Sequence, residues 1–229
     1  MGRHTLEGNP PIEVTLRRSA RAKRLSLRVS RLDGRVTLTL PPRAAEREGL
    51  VFLKSREAWL RSHLTQLAPG VPVRIGGTVP FEGCDLPVTL GAGRSARLEP
   101  DRVIVPTADT AGPCVQALFK TLARDRLAAA SDAYAAQVGR SYSRLSLRDT
   151  RSRWGSCSSK GVLMYSWRLI MAPPEVLRYV AAHEVAHLVE MNHSPAFWNL
   201  VEQLYPDHAP YRLWLRENGD HLHRILFAD

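Results

Sequence analysis

The sequence predicts an α+β fold, with a small β-rich N-terminal lobe followed by a helical C-terminal domain that contains a short sheet. Three observations lead to this prediction. Residues 12–40 alternate polar and apolar side chains in short runs, which is typical of half-buried strands. Residues 112–138 are rich in alanine with few helix breakers, and residues 175–190 form a helical segment that carries two histidines four residues apart. We place the two domains at residues 1–108 and 109–229.

Length and composition are those of a soluble globular protein. The chain has 229 residues, of which 44% are hydrophobic and 24% charged. No stretch approaches the roughly 18 consecutive apolar residues of a membrane span, and the segment MGRHTLEGNPPIEV lacks the apolar centre of a signal peptide. We therefore expect a cytoplasmic protein with no membrane partner. Cys84, Cys114 and Cys157 form no C-x-x-C pair, so any metal should be bound by other residues.

The N-terminal lobe is predicted to combine short strands with one helix. The runs IEVTL, RLSLRV and RVTLTL within residues 12–40 predict a hairpin or meander. Pro41 and Pro42 end this segment because proline cannot donate a hydrogen bond to a neighbouring strand. Residues 44–67 have apolar side chains at helical spacing and predict an amphipathic helix, broken near Lys54. Three further short strands are predicted at residues 72–80, 86–90 and 102–106.

The C-terminal domain is predicted to begin with the long helix at residues 112–138. Two candidate strands, residues 143–150 and 162–172, flank the loop RSRWGSCSSKG. The pair Pro173-Pro174 suits the first turn of a new helix, which extends over residues 175–190. Two shorter helices complete the predicted domain, at residues 195–204 and 208–217.

The segment HEVAH, from His183 to His187, is an H-E-x-x-H motif within the predicted helix. Residues four apart lie on one helix face, about 6 Å apart along the axis, so both imidazoles can bind one metal ion. Glu184 is displaced around the helix, where it can contact a water bound to the metal. Zinc in such a site lowers the pKa of its water to about 7, and an adjacent carboxylate can take the proton during hydrolysis. The motif therefore predicts a zinc-dependent hydrolase with Glu184 as general base.

A catalytic zinc ion needs a third protein ligand, and two residues after the motif are candidates. His193 lies six residues beyond His187, so the chain must turn between Glu190 and Asn192 to bring its imidazole back. The segment NHSP fits such a turn, with Ser194 as the cap of the next helix. Glu190 is the alternative ligand, since it lies three residues after His187 and close to the same face. We favour His193, because a glutamate at a helix end is more often solvated or bonded to a ligand than itself a ligand.

The segments RWGSCSSKG and SWRLIMAPPEVLRYVAAHEVAHLVEMNHSPAFW closely resemble the YgjP-like zinc metallopeptidase family, which is related to the SprT-like and WLM groups. The segment RSARAKRLSLRVSRLDGRVTLTLPP is similar to that family's opening β-segment, so the resemblance covers essentially the whole chain. It implies a zincin-like C-terminal domain, with His183, His187 and His193 as zinc ligands and Glu184 as the catalytic residue. The chain has Ser166 where the family usually has asparagine.

The resemblance also implies a second activity, because some members of the family are described as nucleoside triphosphate pyrophosphatases that act on UTP. Arg151, Arg153, Trp154 and Lys160 lie in the loop before the motif helix and are candidate substrate-binding residues. The expected partner is therefore a protein or peptide substrate, or a nucleoside triphosphate. Against the second activity, three histidines suit carbonyl hydrolysis, whereas triphosphates usually arrive with magnesium held by carboxylates.

The formal net charge is +10, and most of the excess lies near the N-terminus. Residues 1–60 contain 13 Lys and Arg against 6 Asp and Glu, a net charge of +7. Such a lobe can attract nucleic acid, nucleotide phosphates or acidic protein segments, although a solvated arginine-rich face explains the charge equally well. The sequence has no helix-turn-helix, zinc-finger or RNA-binding signature, so we expect at most weak, salt-sensitive binding of nucleic acid. A nucleic-acid-associated protease is the third functional hypothesis.

Overall fold

The computed structural model describes residues 2–30, 34–65 and 69–227, and the chain forms two compact units. The N-terminal unit is Met1–Pro69 and the C-terminal unit is Gly70–Asp229. Both units combine helices with small sheets, in agreement with the predicted α+β class. None of the helices described is long and apolar enough to cross a membrane.

The boundary between the units differs from the predicted one, which followed residue 108. The prediction assigned the short strands that contain Val79 and Val103 to the N-terminal lobe. These two residues are instead buried in the same core as Phe119 and Trp167. The N-terminal core is a separate cluster that contains none of them. The short strands therefore belong to the C-terminal unit, because they share its core.

The N-terminal unit is a four-stranded sheet that packs against two helices. Its elements are β1 (Gly2–Leu6), β2 (Ile12–Arg18), β3 (Ser26–Val29), β4 (Val36–Leu40), α1 (Glu46–Ser55) and α2 (Glu57–Thr65). The strand order is β1-β2-β4-β3, in which β2 and β4 are parallel and the other neighbours antiparallel. Of the predicted hairpin or meander, the antiparallel pairing of β3 with β4 is confirmed. β2 pairs with β4 and not with β3, and β1 had no predicted counterpart.

Alternation along the strands explains the N-terminal core. Val14 on β2 and Leu38 on β4 face the helices and are fully buried. The residues that alternate with them along each strand face the other side of the sheet. The predicted break in the helix near Lys54 occurs at Arg56, which ends α1. Residues 66 and 67, the end of the predicted helix, lie outside the described residues.

The C-terminal unit contains three small sheets and four α-helices within the described residues. Its first strands are β5 (Val71–Pro72), β6 (Thr78–Phe81), β7 (Cys84–Leu90), β8 (Arg97–Glu99) and β9 (Arg102–Val105), followed by α3 (Ala111–Gln137). The remaining elements are β10 (Arg144–Arg148), β11 (Gly155–Cys157), β12 (Val162–Ser166), α4 (Pro174–Ala186), α5 (Pro195–Leu204), α6 (Ala209–Arg224) and β13 (Ile225–Leu226). The sheet orders are β6-β7-β9-β8, β10-β12-β11 and β13-β5. α6 continues beyond its predicted end at residue 217.

Two elements near the H-E-x-x-H segment differ from the prediction. The predicted strand at residues 162–172 ends at Ser166, and Trp167–Met171 forms a 3₁₀ helix. All five residues of that helix are buried, so the run lacks the periodicity that distinguishes a strand from a helix. α4 begins at Pro174, in keeping with the proline signal, but it ends at Ala186, four residues before the predicted end.

Arg168 attaches the C-terminal segment to the 3₁₀ helix. Its guanidinium donates to the two carboxylate oxygens of Asp149, at 2.7 and 3.1 Å. It also donates to the carbonyls of Leu222 and Ile225, at 2.8 and 3.0 Å, and lies over the Trp167 ring. These bonds replace the water that a buried guanidinium loses. α6 and β13 are thereby attached to the element that precedes α4.

Candidate metal centre

Three histidine side chains meet at the C-terminal end of α4. His183 lies in α4, His187 is the C-cap residue directly after it, and His193 lies in the turn before α5. Their candidate ligand atoms all lie within 4.8 Å of one another, and the Nε2 atoms of His183 and His193 are 3.2 Å apart. Nitrogens that bind one ion tetrahedrally at about 2.0–2.1 Å are separated by about 3.3 Å. The His183–His193 pair already has this spacing, and the third imidazole lies close enough to reach the same ion after a small side-chain movement.

Local hydrogen bonds form the turn that brings His193 back to the helix. The amide of Glu190 bonds to a carbonyl in the last turn of α4 at 3.0 Å. The Asn192 side chain accepts from the amide of Ser194 at 3.0 Å, and the Ser194 hydroxyl caps α5 by accepting from the Phe197 amide at 3.4 Å. The predicted turn and the predicted helix cap are confirmed.

Glu190 contributes its backbone to the cluster. Its carbonyl lies 2.8 Å from Nδ1 of His187. Because a carbonyl can only accept, Nδ1 of His187 carries the proton in this bond, which leaves the Nε2 lone pair available to a metal. Within the part of the chain that the structure describes, the metal-ligand cluster includes His193 and does not include the Glu190 carboxylate.

Burial favours the neutral form of His183 and His187. The pKa of His183 is lowered to about 3, chiefly by burial and in addition by the neighbouring His187 and His193. Burial also lowers the pKa of His187. Neutral imidazole is the form that binds a metal ion. The Nε2 lone pairs of His183 and His193, 3.2 Å apart, repel each other unless a proton or a cation lies between them, so the donor set fits a metal ion.

Glu184 is held beside β11. Its side chain is nearly buried, with 5% of the residue exposed, and the backbone N–H of Cys157 donates to the carboxylate. Gly155 leaves room for it, since a Cβ added there would lie 2.5 Å from Oε1 of Glu184. The pKa of the Glu184 carboxyl is raised to about 8, because burial outweighs the opposing effects of the Arg153 guanidinium and the Cys157 amide. β11 thus fixes a carboxyl group whose pKa lies close to neutrality.

The three histidines and Glu184 share one open cavity of about 470 Å³. The loop before β11, β11 itself and the turn after α4 form its other walls. Besides those four residues it is lined by Ser152, Arg153, Gly155, Ser156, Cys157 and Met191. A metal ion, a water molecule and part of a substrate can therefore meet at Glu184.

Among the four candidate substrate-binding residues, the structure brings Arg153 into this cavity and leaves the other three outside its lining. Arg151 lies in the loop before β11, and Lys160 lies in the turn between β11 and β12. Trp154 packs against α6, where its ring lies 5.0 Å from the ring of His223. The loop therefore presents one arginine to the cavity and uses its tryptophan for packing.

Gly155 and Cys157 line the cavity, although no sequence pattern identified them as site residues. Both lie on the same side of β11, because side chains two apart in a strand share a face. The pKa of the Cys157 thiol is raised to about 11, chiefly by burial and in addition by the charge of Glu184, so the thiol stays protonated at neutral pH. Ser156, between Gly155 and Cys157, also lines the cavity, so strand alternation in the segment GSC is not a signal that could have singled these residues out.

Comparison with known proteins gives a family match over most of the chain. A family profile described as "YgjP-like, metallopeptidase domain" matches residues 23–218, a range that includes the three histidines and Glu184. Among curated proteins, none matches the chain. A solved structure with partial similarity is the metallopeptidase zymogen abylysin of Pyrococcus abyssi. It is 20% identical, with a TM-score of 0.36, and the match covers 41% of this chain and 92% of that chain.

Proposed function

The chain belongs to the YgjP-like metallopeptidase family, and we propose that it is a zinc-dependent peptidase. In this proposal His183, His187 and His193 hold the zinc ion, and Glu184 is the general base. The observation that carries the proposal is the convergence of three imidazoles and one buried carboxyl group on a single open cavity. Three histidines suit zinc better than magnesium or calcium, which prefer oxygen ligands.

Glu184 performs the proton transfers of the proposed reaction. When bound in such a site, zinc polarises a carbonyl group and lowers the pKa of a water ligand to about 7. Glu184 takes a proton from the attacking water and returns it to the amine that leaves. The Cys157 amide holds the carboxylate by a hydrogen bond, and Arg153 stabilises its charged form. Because glycine has no Cβ, Gly155 leaves room for the Glu184 carboxylate beside β11.

The position of β11 supports a peptide substrate. In the sheet of order β10-β12-β11, β11 is an edge strand, and all three of its residues line the cavity. An extended peptide can add to such an edge through main-chain hydrogen bonds. A peptide bound along β11 passes the three histidines and Glu184, which is the arrangement that peptide-bond hydrolysis needs.

The lining of the cavity favours a peptide over a nucleoside triphosphate. Among the described residues that line the cavity, Arg153 is the single basic side chain of the lysine or arginine type. A triphosphate is usually bound by several positive groups and by magnesium that carboxylates hold. Arg151 and Lys160, which would supply further charge, do not line the cavity. We therefore propose peptide hydrolysis as the main activity, with UTP hydrolysis slow or absent.

Hydrolysis of a casein-derived peptide library and of UTP tests this function, in the wild type and in the Glu184→Gln variant. Zinc content is measured on the same samples. We expect the variant to lose peptide cleavage by a factor of about 10²–10⁴, the usual contribution of a general base, while it keeps its zinc. If the wild type hydrolyses only UTP and the Glu184→Gln variant does not, the protein is a pyrophosphatase and not a peptidase. Peptide cleavage that survives the substitution excludes Glu184 as the base.

Glu190→Gln is the matched control for this experiment. It makes the same chemical change near the same histidines, but it leaves the backbone carbonyl that bonds to His187. We expect wild-type cleavage and wild-type zinc content. A loss of zinc in this control would instead assign a metal-binding role to the Glu190 carboxylate.

A further inference from the structure

We propose that the outer face of the N-terminal sheet binds the phosphate backbone of nucleic acid without sequence preference. This surface, called the arginine face below, consists of Arg3, Arg17 and Arg28 together with Thr15 and Thr37. It contains no residue of the metal centre, so the proposal goes beyond the peptidase function and can be tested independently of it.

Strand register brings these residues into one surface. Arg3 on β1 pairs with Thr15 on β2, which in turn pairs with Thr37 on β4. Thr37 also pairs with Arg28 on β3, so one row crosses all four strands. Since neighbouring strands are about 4.8 Å apart, the backbones of the two arginines that end the row are about 14 Å apart. Arg17 lies two residues beyond Thr15 on the same face, about 7 Å along β2.

The opposite face of the sheet forces these arginines outward. Val14 and Leu38 are buried beneath α1 and α2, and the side chains that alternate with them must face the other way. Arg3, Arg17 and Arg28 are accordingly exposed. Their position is thus fixed by the fold, because a shift of one residue in register would bury a guanidinium.

Ion pairs do not neutralise the arginine face. Within the residues described, Arg3, Arg17 and Arg28 form no ion pair, whereas Arg61 on α2 is paired with Glu57 at 2.9 Å. The N-terminal unit as a whole has 14 Lys and Arg against 6 Asp and Glu, a net charge of +8. The face therefore projects positive charge that the unit's own acids leave uncompensated.

A broad groove of about 1180 Å³ lies over part of the arginine face. Arg3, Thr15, Arg17 and Thr37 line it, together with the acidic side chain of Glu13 and the apolar residues Pro10, Pro11, Ile12 and Leu64. Guanidinium and hydroxyl groups are the side chains that most often donate to phosphate oxygens in complexes with nucleic acid. The groove thus offers several donors and one carboxylate to an elongated polyanion.

The chemistry of the face favours nucleic acid over an acidic protein. Its outward positions carry no large apolar or aromatic side chain; they are Arg3, Thr5, Glu13, Thr15, Arg17, Ser26, Arg28, Thr37 and Thr39. A protein interface normally has an apolar centre, and proteins that bind bases of single strands stack them on aromatic rings. Contacts to phosphates need neither, so the face fits the backbone of a duplex and not its bases.

A binding experiment with two matched triple variants tests the proposal. The probe is a fluorescein-labelled DNA duplex of about 20 base pairs and arbitrary sequence, followed by anisotropy from about 50 to 200 mM salt. The control removes the same charge from exposed arginines in or beside α1, on the helix side of the same unit. The test variant combines Arg3→Gln, Arg17→Gln and Arg28→Gln. The control variant combines Arg43→Gln, Arg47→Gln and Arg56→Gln.

We expect the arginine-face variant to reduce the slope of log Kobs against log salt by about 2 to 3, since each phosphate contact contributes about 0.9. Its affinity at the lowest salt should fall at least about tenfold, whereas the control changes slope and affinity much less. Both variants should keep the wild-type melting temperature and the wild-type hydrolytic activity.

Two results would overturn the proposal. Equal losses of affinity in the two triple variants would mean that net charge alone attracts the duplex. Labelled polyglutamate that binds as tightly as the duplex would assign the arginine face to an acidic protein. Failure of the hydrolysis experiment with Glu184→Gln would leave this result untouched, because the two experiments measure different properties of the same chain.

Discussion

The two units of the chain distribute charge in opposite ways. The N-terminal unit carries a net charge of +8, and its core among the described residues consists of apolar side chains. The larger C-terminal unit carries +2, from 18 Lys and Arg against 16 Asp and Glu, yet it buries Arg168, Glu184 and His187. Burying such groups costs free energy unless they are paired or functional. Buried charge thus lies in the unit that carries the candidate metal centre, whereas the charge of the N-terminal unit is mainly exposed.

The two candidate sites also differ in how their residues are brought together. The candidate metal centre takes its three histidines and Glu184 from a single stretch, His183 to His193, which needs one helix and one turn. The arginine face collects residues from all four strands and depends on the parallel pairing of β2 with β4. Local spacing is therefore enough to predict the first site, whereas the second becomes visible only in the strand register.

Two arginines test the contrast in burial, and they give the largest expected effect on stability. The Arg168 side chain, in the C-terminal unit, is 10% exposed and donates to Asp149 and two backbone carbonyls. The Arg61 side chain, in the N-terminal unit, is 25% exposed and donates to Glu57 and two backbone carbonyls. We expect Arg168→Gln to lower the free energy of unfolding by about 3 kcal/mol, because the carbonyl of Leu222 loses its donor away from water and Asp149 loses a bidentate partner.

Arg61→Gln should cost only about 1 kcal/mol, since water replaces the lost hydrogen bonds at a more exposed position. Urea unfolding of both variants at neutral pH measures the difference. Equal losses would mean that burial does not distinguish the two units in the way described.

Two glycines extend the comparison to catalysis. A Cβ at Gly155 would lie 2.5 Å from Oε1 of Glu184, whereas a Cβ at Gly2 would lie 3.6 Å from Leu16, an ordinary contact. We expect Gly155→Ala to displace the carboxylate and lower peptide cleavage by about 10- to 100-fold, and Gly2→Ala to leave it unchanged. Initial rates on one fluorogenic peptide measure this. Full activity in Gly155→Ala would show that β11 does not position Glu184.

The features that the sequence predicted correctly are set by short-range chemistry. α5 has its predicted bounds because Ser194 caps it and Pro195 suits its first turn. α3 lies within one residue of its predicted ends, since an alanine-rich segment favours a helix over any alternative. The convergence of His183, His187 and His193 follows in the same way from a helix and the turn after it.

The features that it did not predict depend on contacts between distant segments. Gly155 and Glu184 touch although 28 residues separate them, and nothing near either residue in the sequence indicates this contact. Arg153 and Trp154 are neighbours, but only packing against α6 decides which of them faces the cavity. The boundary at Pro69 likewise follows from a shared core and not from composition.

Acid should destabilise the C-terminal unit through a buried histidine, which is the smallest effect expected here. The pKa of His223 is lowered from 6.5 to about 4, chiefly by burial; the charges of Arg168 and Arg151 also lower it, and those of Asp149 and Asp220 oppose the shift. Between these pH values the unfolded chain takes up a proton that the folded chain does not. This contribution to stability is therefore complete above pH 6.5 and is lost as the pH falls towards 4.

We expect the melting temperature of His223→Gln to fall less between pH 7 and pH 5 than that of the wild type. His221→Gln, at an exposed position of the same helix, is the control and should follow the wild type. Identical pH dependence in all three proteins would mean that His223 is not the group that titrates.

The metal content of the protein tests the metal centre most directly. Purified wild type, His193→Ala and the control His221→Ala are stripped with a chelator, titrated with zinc and analysed for bound metal. We predict about one tightly bound zinc ion per chain in the wild type and in the control, and at least tenfold weaker binding in His193→Ala, because three histidines form the site. A wild type that binds no zinc, or a His193→Ala variant that binds it equally well, would contradict the three-histidine centre.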